Sequence, residues 1–316
     1  IDSNMTGLIL DLRDNPGGLL NSAVNILDMF TEKGQLLVYT EGKTYKSKRK
    51  YLSKSEPLVP NEIKITVLVN QGSASASEIV AGVMQDVDRG VVIGRSTFGK
   101  GLVQTVINID RERSVKITSA KYFIPSGRLI QKPGYLPKEL LADTSSMDSV
   151  FFTKGGRSVS GLGGINPDYK VDLNNIEPLL SVSLRKGLFF SFVQKNKSKY
   201  NSFEDVESDK SILNDFETYM YSNDIQVKMK GESNYIKMKE KLLELDSNSV
   251  QIQGALDILD SYFEDISINQ FDREKKDIHH WLLVEFAEHF NGVEGRFKIS
   301  AEKDLDIQKA MNILHD

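Results

Sequence analysis

A serine, a lysine and a glutamine within residues 67–104 are the side chains best suited to chemistry. Ser75 stands at the start of a predicted helix, where free backbone N–H groups and the positive end of the helix dipole favour an oxyanion beside an attacking hydroxyl. Lys100 lies in a small, apolar, glycine-flanked loop. A lysine kept from water favours the neutral amine, which can act as a general base. Gln104 could hold that amine without adding a charge, so the three residues predict a serine nucleophile activated by a lysine.

These residues also have two simpler interpretations, a helix cap and a phosphate-binding loop. Ser75 followed by Glu78 matches a capping box, in which both side chains satisfy backbone N–H groups, and such caps are common at helix starts. The segment from Gly94 to Lys100 resembles a phosphate-binding loop, but Gly101 replaces the Ser or Thr that would bind magnesium. The residues after it are rich in β-branched types and predict a strand, whereas phosphate binding needs a helix start. We therefore expect no nucleotide at this loop.

The elements that must position these residues alternate between strand and helix. Apolar or alternating runs predict strands at residues 7–12, 35–41, 44–52, 65–69, 91–93, 102–109 and 114–124. Helical spacing of apolar residues follows the first strand and also follows Ser75. This alternation predicts an α/β fold with a mixed, partly parallel sheet. The glycine-rich segment from Gly155 to Asp168 is expected to be a loop.

The composition changes after about Asn174, where strand patterns give way to segments with apolar residues at helical spacing. We therefore predict two domains, a core over residues 1–174 and a mostly α-helical C-terminal domain over residues 175–316. Asn201 to Lys210 is expected to be a polar linker within the second domain. All four histidines fall in this second domain, far along the chain from Ser75.

Composition excludes several classes of function. The net charge of −4 carries no electrostatic signature of nucleic-acid binding. Without cysteine the chain forms no disulfide and no thiolate metal site. Glu285, Glu288 and His289 do not form the HExxH pattern, so we expect them to be surface residues of a helix and not metal ligands. No apolar run reaches the length of a membrane span, and the N-terminus has no signal-peptide pattern.

Five short motifs in a fixed order resemble the C-terminal processing, or tail-specific, serine proteases. They are Asp11-Leu12-Arg13-Asp14-Asn15-Pro16-Gly17-Gly18, Ser75-Ala76-Ser77-Glu78, Phe98-Gly99-Lys100-Gly101 with Gln104, Ile117-Thr118 through Tyr122-Phe123-Ile124-Pro125-Ser126-Gly127, and Gly163-Gly164-Ile165-Asn166-Pro167-Asp168. They span about the first 170 residues. Their spacing singles out Ser75 from the neighbouring serines.

The resemblance implies a serine endopeptidase with a Ser/Lys dyad on a crotonase-like protease core, cleaving proteins near their C-termini. Ser75, Lys100 and Gln104 would be catalytic, the amides of Gly18 and Ala76 would form the oxyanion hole, and Glu78 would support them. No cofactor or metal is implied. The expected partners are protein or peptide substrates, and the helical domain could form a homo-oligomer.

The resemblance also implies a periplasmic or cell-envelope location and a PDZ domain that binds the substrate's C-terminus. We expect the chain to be a fragment that lacks the N-terminal part of the core and the PDZ domain. The alternative is a catalytically silent scaffold or assembly module, because substrate capture and part of the core would lie upstream.

Overall fold

The structure is a computed structural model that describes residues 5–132, 150–161, 163–172, 176–223, 225, 227, 229 and 231–315. The chain divides into two compact units. The first contains Ile1–Asp172 together with Leu305–Asp316, and the second contains Leu173–Asp304. The predicted mixed α/β fold with a helical C-terminal region is confirmed. The domain boundary after residue 174 stays a prediction, and the structure groups the last twelve residues with the first unit.

The first unit contains ten strands and three α-helices among its described residues. The strands are β1 (Gly7–Asp11), β2 (Leu36–Glu41), β3 (Arg49–Leu52), β4 (Lys64–Val69), β5 (Val91–Gly94), β6 (Leu102–Asn108), β7 (Ser114–Phe123), β8 (Val150–Phe152), β9 (Ser158–Ser160) and β10 (Tyr169–Lys170). The helices are α1 (Leu20–Asp28), α2 (Ala76–Asp86) and, at the end of the chain, α10 (Leu305–His315).

A parallel sheet with the strand order β1-β4-β5-β10 forms the centre of this unit. Alternate residues of β4 point to opposite faces. Val67 and Val69 pack into a core with helices α1 and α2, whereas Leu68 packs into a second cluster with Ala310 of α10. Because the strands are parallel, the loops that leave the carboxyl ends of β1, β4 and β5 meet at one edge, where α/β proteins place their ligand sites.

A second, antiparallel sheet has the order β3-β2-β7-β6, so β3 and β6 are its edge strands. The predicted strand at residues 44–52 is shorter than expected, because a 3₁₀ turn occupies Tyr45–Ser47 and β3 begins only at Arg49. The segment Gly155 to Asp168 is also not wholly a loop. It contributes β9, which pairs with β8 in a small hairpin.

The second unit is helical. Its helices are α3 (Pro178–Arg185), α4 (Leu188–Asn196), α5 (Phe203–Ser208), α6 (Ile212–Ser222), α7 (Glu232–Leu245), α8 (Val250–Ile268) and α9 (Gln270–Ala301), the last with a break at Gly292. Buried aromatic rings of Phe192, Phe216 and Phe286 pack in its core.

The expectation of a polar linker at Asn201 to Lys210 is wrong. This stretch contains α5, whose start is capped by the Ser202 hydroxyl, which accepts the Asp205 N–H at 3.4 Å. Two apolar residues, Phe203 and Val206, anchor the helix in the core of the unit. Tertiary burial of these two side chains stabilises a helix that is too short to be stable alone.

Candidate active site

Ser75 lies at the tip of a strained turn between β4 and α2. Its backbone angles, φ 54° and ψ −113°, are in a left-handed region that a non-glycine residue adopts only when its surroundings enforce it. Ser75 is partly exposed, whereas Ser73 and Ser77 are buried. The Ser73 hydroxyl donates to the Leu12 carbonyl at 2.7 Å and accepts the Asn70 N–H at 3.0 Å. Ser73 therefore serves to hold the turn, and Ser75 is the serine of this turn that solvent can reach.

The Glu78 carboxylate connects the Ser75 turn to the loop that carries Lys100. Its Oε2 atom accepts the backbone N–H groups of both Ser75 and Lys100, each at 2.8 Å. Its Oε1 atom accepts the Thr97 hydroxyl at 2.5 Å and the Gly99 N–H at 2.7 Å. Glu78 is fully buried, and four donors compensate its desolvation. The bond to the Ser75 N–H is the helix cap predicted for Glu78. The other three bonds, to Thr97, Gly99 and Lys100, hold the lysine loop in place.

The buried hydroxyl of Tyr122 connects the same two residues on their carbonyl side. It donates a short hydrogen bond to the Lys100 carbonyl and lies 3.3 Å from the Ser75 carbonyl oxygen. Burial, and secondarily the charge of Glu78, raise the pKa of Tyr122 well above its ordinary value, so the hydroxyl remains a donor. Glu78 thus holds the backbone N–H groups of Ser75 and Lys100 together. On the carbonyl side, the Tyr122 hydroxyl bonds the Lys100 carbonyl and lies close to the Ser75 carbonyl.

The lysine loop runs from Arg95 to Gly101 and leads into β6. The Lys100 side chain is partly buried. Within the part of the chain that the structure describes, no side chain forms a hydrogen bond or ion pair with its Nζ atom. The loop is followed by a strand, as expected, so no helix start is available there to bind phosphate.

Gln104 lies on β6, four residues after Lys100, at an irregularity in the strand pairing. Val103 pairs with Ala120 and Gln104 with Thr118, so the register shifts between the two β6 residues. Such bulges redirect side chains and are frequent beside active sites. Gln104 is partly buried.

The glycine turn after β1 packs directly against the Ser75 turn. Gly17 has φ +84°, and a Cβ atom there would lie 2.4 Å from the Ala74 carbonyl oxygen and 2.6 Å from the Ala76 nitrogen. A Cβ atom on Gly18 would meet nothing within 4 Å. The structure therefore brings Gly17 against the turn of Ser75 and Ala76, with Gly18 next along the chain on the exposed side.

Hydrogen bonds join the two turns into one block. Asn70, directly after β4, accepts the Asp14 N–H at 2.9 Å and donates to the Asp14 carboxylate at 3.0 Å. The Asn15 carbonyl accepts the Ala74 N–H at 3.0 Å, and its side chain accepts the Gly17 N–H at 2.9 Å. The residues predicted as oxyanion donors thus belong to turns whose backbones are mutually anchored.

Sequence reasoning missed the roles of Tyr122 and Gly17. Tyr122 was part of a recognised motif, but its position within a strand pattern does not reveal that its hydroxyl reaches two carbonyls distant in sequence. Gly17 was visible only as a turn residue. Its contact with Ala74 and Ala76 depends on the pairing of β1 with β4.

Comparison with known proteins shows which proteins this chain is similar to. Residues 1–140 match the model of peptidase family S41, and residues 179–314 match the model described as the probable PDZ-protease C-terminal helical domain. These matches support a peptidase. The resemblance to the C-terminal processing proteases predicted from the sequence is confirmed by the named relatives that follow.

The carboxy-terminal-processing protease of Bartonella bacilliformis is 45% identical over 133 residues, which is 42% of this chain and 30% of that protein. The carboxy-terminal processing protease CtpA of Bacillus subtilis is 41% identical over 136 residues, covering 42% of this chain and 28% of that protein. The chain therefore spans less than a third of the length of either relative. A solved structure of a photosystem II D1 C-terminal processing protease is 31% identical, with a TM-score of 0.38, over 53% of this chain and 35% of that one.

Proposed function

We propose that this chain carries the catalytic residues of a serine endopeptidase of the C-terminal processing type. Ser75 attacks the peptide carbonyl, and neutral Lys100 takes the hydroxyl proton and later donates a proton to the leaving amine. Gln104 orients the amine. The backbone N–H groups of Gly18 and Ala76 stabilise the oxyanion. Glu78 supports the site by holding the backbones of the nucleophile and the base.

The observation that carries this proposal is the double link between Ser75 and Lys100. A buried carboxylate oxygen of Glu78 binds both N–H groups, and the hydroxyl of Tyr122 lies within hydrogen-bonding distance of both carbonyls. A helix cap alone would need only the bond to Ser75. Four hydrogen bonds to one buried carboxylate are better explained by a requirement to keep two reacting side chains in register.

Further support comes from the strain at Ser75 and from the uncommitted amine of Lys100. A left-handed non-glycine residue costs about 1–3 kcal/mol and is concentrated at functional sites. Among the described residues no anion engages Lys100 Nζ, so the amine is free to contact the serine hydroxyl.

Substrate and location are part of the same proposal. The names of the relatives favour cleavage of protein substrates near their C-termini, and the family favours the periplasm or cell envelope. No described helix combines the length and apolarity needed to cross a bilayer.

The proposal is tested by labelling with a fluorophosphonate and by hydrolysis of fluorescent casein, using the intact protein. Ser75→Ala should abolish labelling and cleavage while leaving the thermal transition in place. Lys100→Met should lower the labelling rate by about 10²–10⁴-fold, the usual contribution of a general base.

Ser96→Ala is the matched control, since Ser96 is exposed on the same loop and its hydroxyl donates to the Asn166 side chain at 2.6 Å. Its labelling should stay within about twofold of wild type, well short of the loss of a general base. A labelled serine other than Ser75 would refute the assignment. An intact wild-type protein that does not label would favour the scaffold alternative.

A further inference from the structure

One carboxylate near the end of the chain binds two loops of the candidate site. Asp306, in the first turn of α10, is only 3% exposed. Its two oxygens accept both terminal nitrogens of the Arg95 guanidinium, at 3.0 and 2.8 Å. Oδ2 also accepts Nη1 of Arg13 at 3.0 Å. A single buried anion therefore bridges two arginines that are far apart in sequence.

The two arginines stand at corresponding places in the parallel sheet. Arg13 follows β1 and begins the turn that contains Gly17 and Gly18, whereas Arg95 follows β5 and begins the loop that contains Lys100. In the sheet, β1 and β5 lie on either side of β4, the strand that leads to Ser75. Asp306 thus links the loop on one side of the nucleophile to the loop on the other.

The Arg95 guanidinium depends strongly on this carboxylate. Arg95 is 8% exposed, and besides Asp306 it donates to the Val171 carbonyl at 3.2 Å. Its Nε atom has no hydrogen-bond partner among the described residues. Removing one member of a buried ion pair leaves the other charge desolvated without compensation, which destabilises the segment that carries it. For Arg95, that segment is the start of the lysine loop.

We propose that Asp306 is a positioning residue for the reaction, which holds the oxyanion turn and the lysine loop in their catalytic arrangement through Arg13 and Arg95. The inference rests on the proposed function. It gives the last helix a role beyond covering the sheet, because the anchor of both loops comes from a segment that follows the whole helical unit in sequence.

The test compares Asp306→Asn with Ile313→Ala in the intact protein. Asp306→Asn keeps the size of the side chain and removes its charge. Ile313 lies on the same helix and packs in the cluster around Leu68 and Ile93, so its truncation weakens α10 without touching either arginine. Casein hydrolysis supplies kcat and KM, and hydrogen–deuterium exchange reports on the loops in the absence of substrate.

We expect Asp306→Asn to lower kcat by about tenfold or more, because misplaced catalytic groups slow the chemical step. KM should stay within about twofold of the wild-type value, because substrate binding does not depend on these groups. Amide exchange should accelerate in peptides covering residues 13–18 and 95–101. Both variants should lower the melting temperature by similar amounts. Ile313→Ala, however, should leave kcat and the amide exchange of these two loops unchanged.

Equal losses of kcat in both variants at equal stability would overturn the inference, since the effect would then be general destabilisation. Unchanged kcat in Asp306→Asn with a wild-type protein that labels at Ser75 would overturn the inference alone. A wild-type protein that does not label would overturn the proposed function and this inference with it. Faster loop exchange without loss of kcat would show that Asp306 serves stability only.

Discussion

At the scale of single residues, Glu78 has the greatest influence on the candidate site. Its two oxygens accept four donors, and Oε2 alone receives the N–H groups of Ser75 and Lys100. A carboxylate accepts up to about four hydrogen bonds, so its capacity is filled. An amide in its place presents one oxygen and an NH₂ group, and that NH₂ group would face backbone donors.

Glu78→Gln should therefore destabilise the protein and slow the reaction. Leaving one or two buried donors unpaired predicts a loss of about 2–4 kcal/mol in the free energy of unfolding. The separation of the two backbones should also lower kcat, measured alongside denaturant unfolding. Glu244→Gln, at an exposed position of α7, is the control and should change neither quantity. Full activity in Glu78→Gln would show that the carboxylate serves only as a helix cap.

At the scale of elements, the site is built where a glycine turn meets a strand-to-helix turn. Gly17 allows this contact for two reasons that can be separated. It has a positive φ, and it has no Cβ atom to collide with the backbone of Ala74 and Ala76. Gly34 has the same φ of +84° but a Cβ atom there would meet nothing within 4 Å.

This pair of glycines permits a matched comparison. Gly17→Ala and Gly34→Ala should each cost about 1–2 kcal/mol for the left-handed conformation. Only Gly17→Ala should also displace the turn from Ser75, with a fall in the fluorophosphonate labelling rate of about 10²-fold, the usual effect of a misplacement near 1 Å. Similar labelling in the two variants would mean that the turn does not position the reacting groups.

At the scale of the whole molecule, the first unit is discontinuous in sequence. The chain leaves it after residue 172, forms the helical unit and returns at residue 305 to cover the second face of the parallel sheet. The helical unit contains the neighbouring residues His279 and His280. Burial, followed by the charge of Lys303, lowers the pKa of both; for His280, Glu302 and Asp277 oppose this shift.

These histidines predict a loss of stability in mild acid. A histidine whose pKa is lower in the folded state binds more protons when unfolded, so its contribution is complete above about pH 6.5 and declines as the pH falls below that value. The melting temperature should therefore decrease as the pH is lowered from about 7.5 to about 5.5. The double substitution His279→Gln and His280→Gln should make this dependence shallower. An identical pH profile in the double variant would exclude the two side chains as its source.

The segments that carry Ser75 and Lys100 were predictable because their sequence signals are local. A buried strand, a turn and a helix start around Ser75 follow from apolar periodicity and capping chemistry within a few residues. The same holds for the glycine-flanked Lys100 and for the α/β and helical character of the two parts of the chain. The assignment of Ser75, Lys100, Gln104, Gly18 and Ala76 to catalysis stays a prediction.

The contacts that join these local features were decided only by the tertiary structure. Tyr122 reaches Ser75 and Lys100 because two sheets meet at the site, and Asp306 reaches Arg95 across 211 positions of sequence. Periodicity reports which face of an element is buried, but it does not report which distant polar group will lie opposite. The sequence by itself determined the chemical groups and the elements that present them, whereas packing determined their partners, because hydrogen bonds and ion pairs between distant segments exist only once the chain has folded.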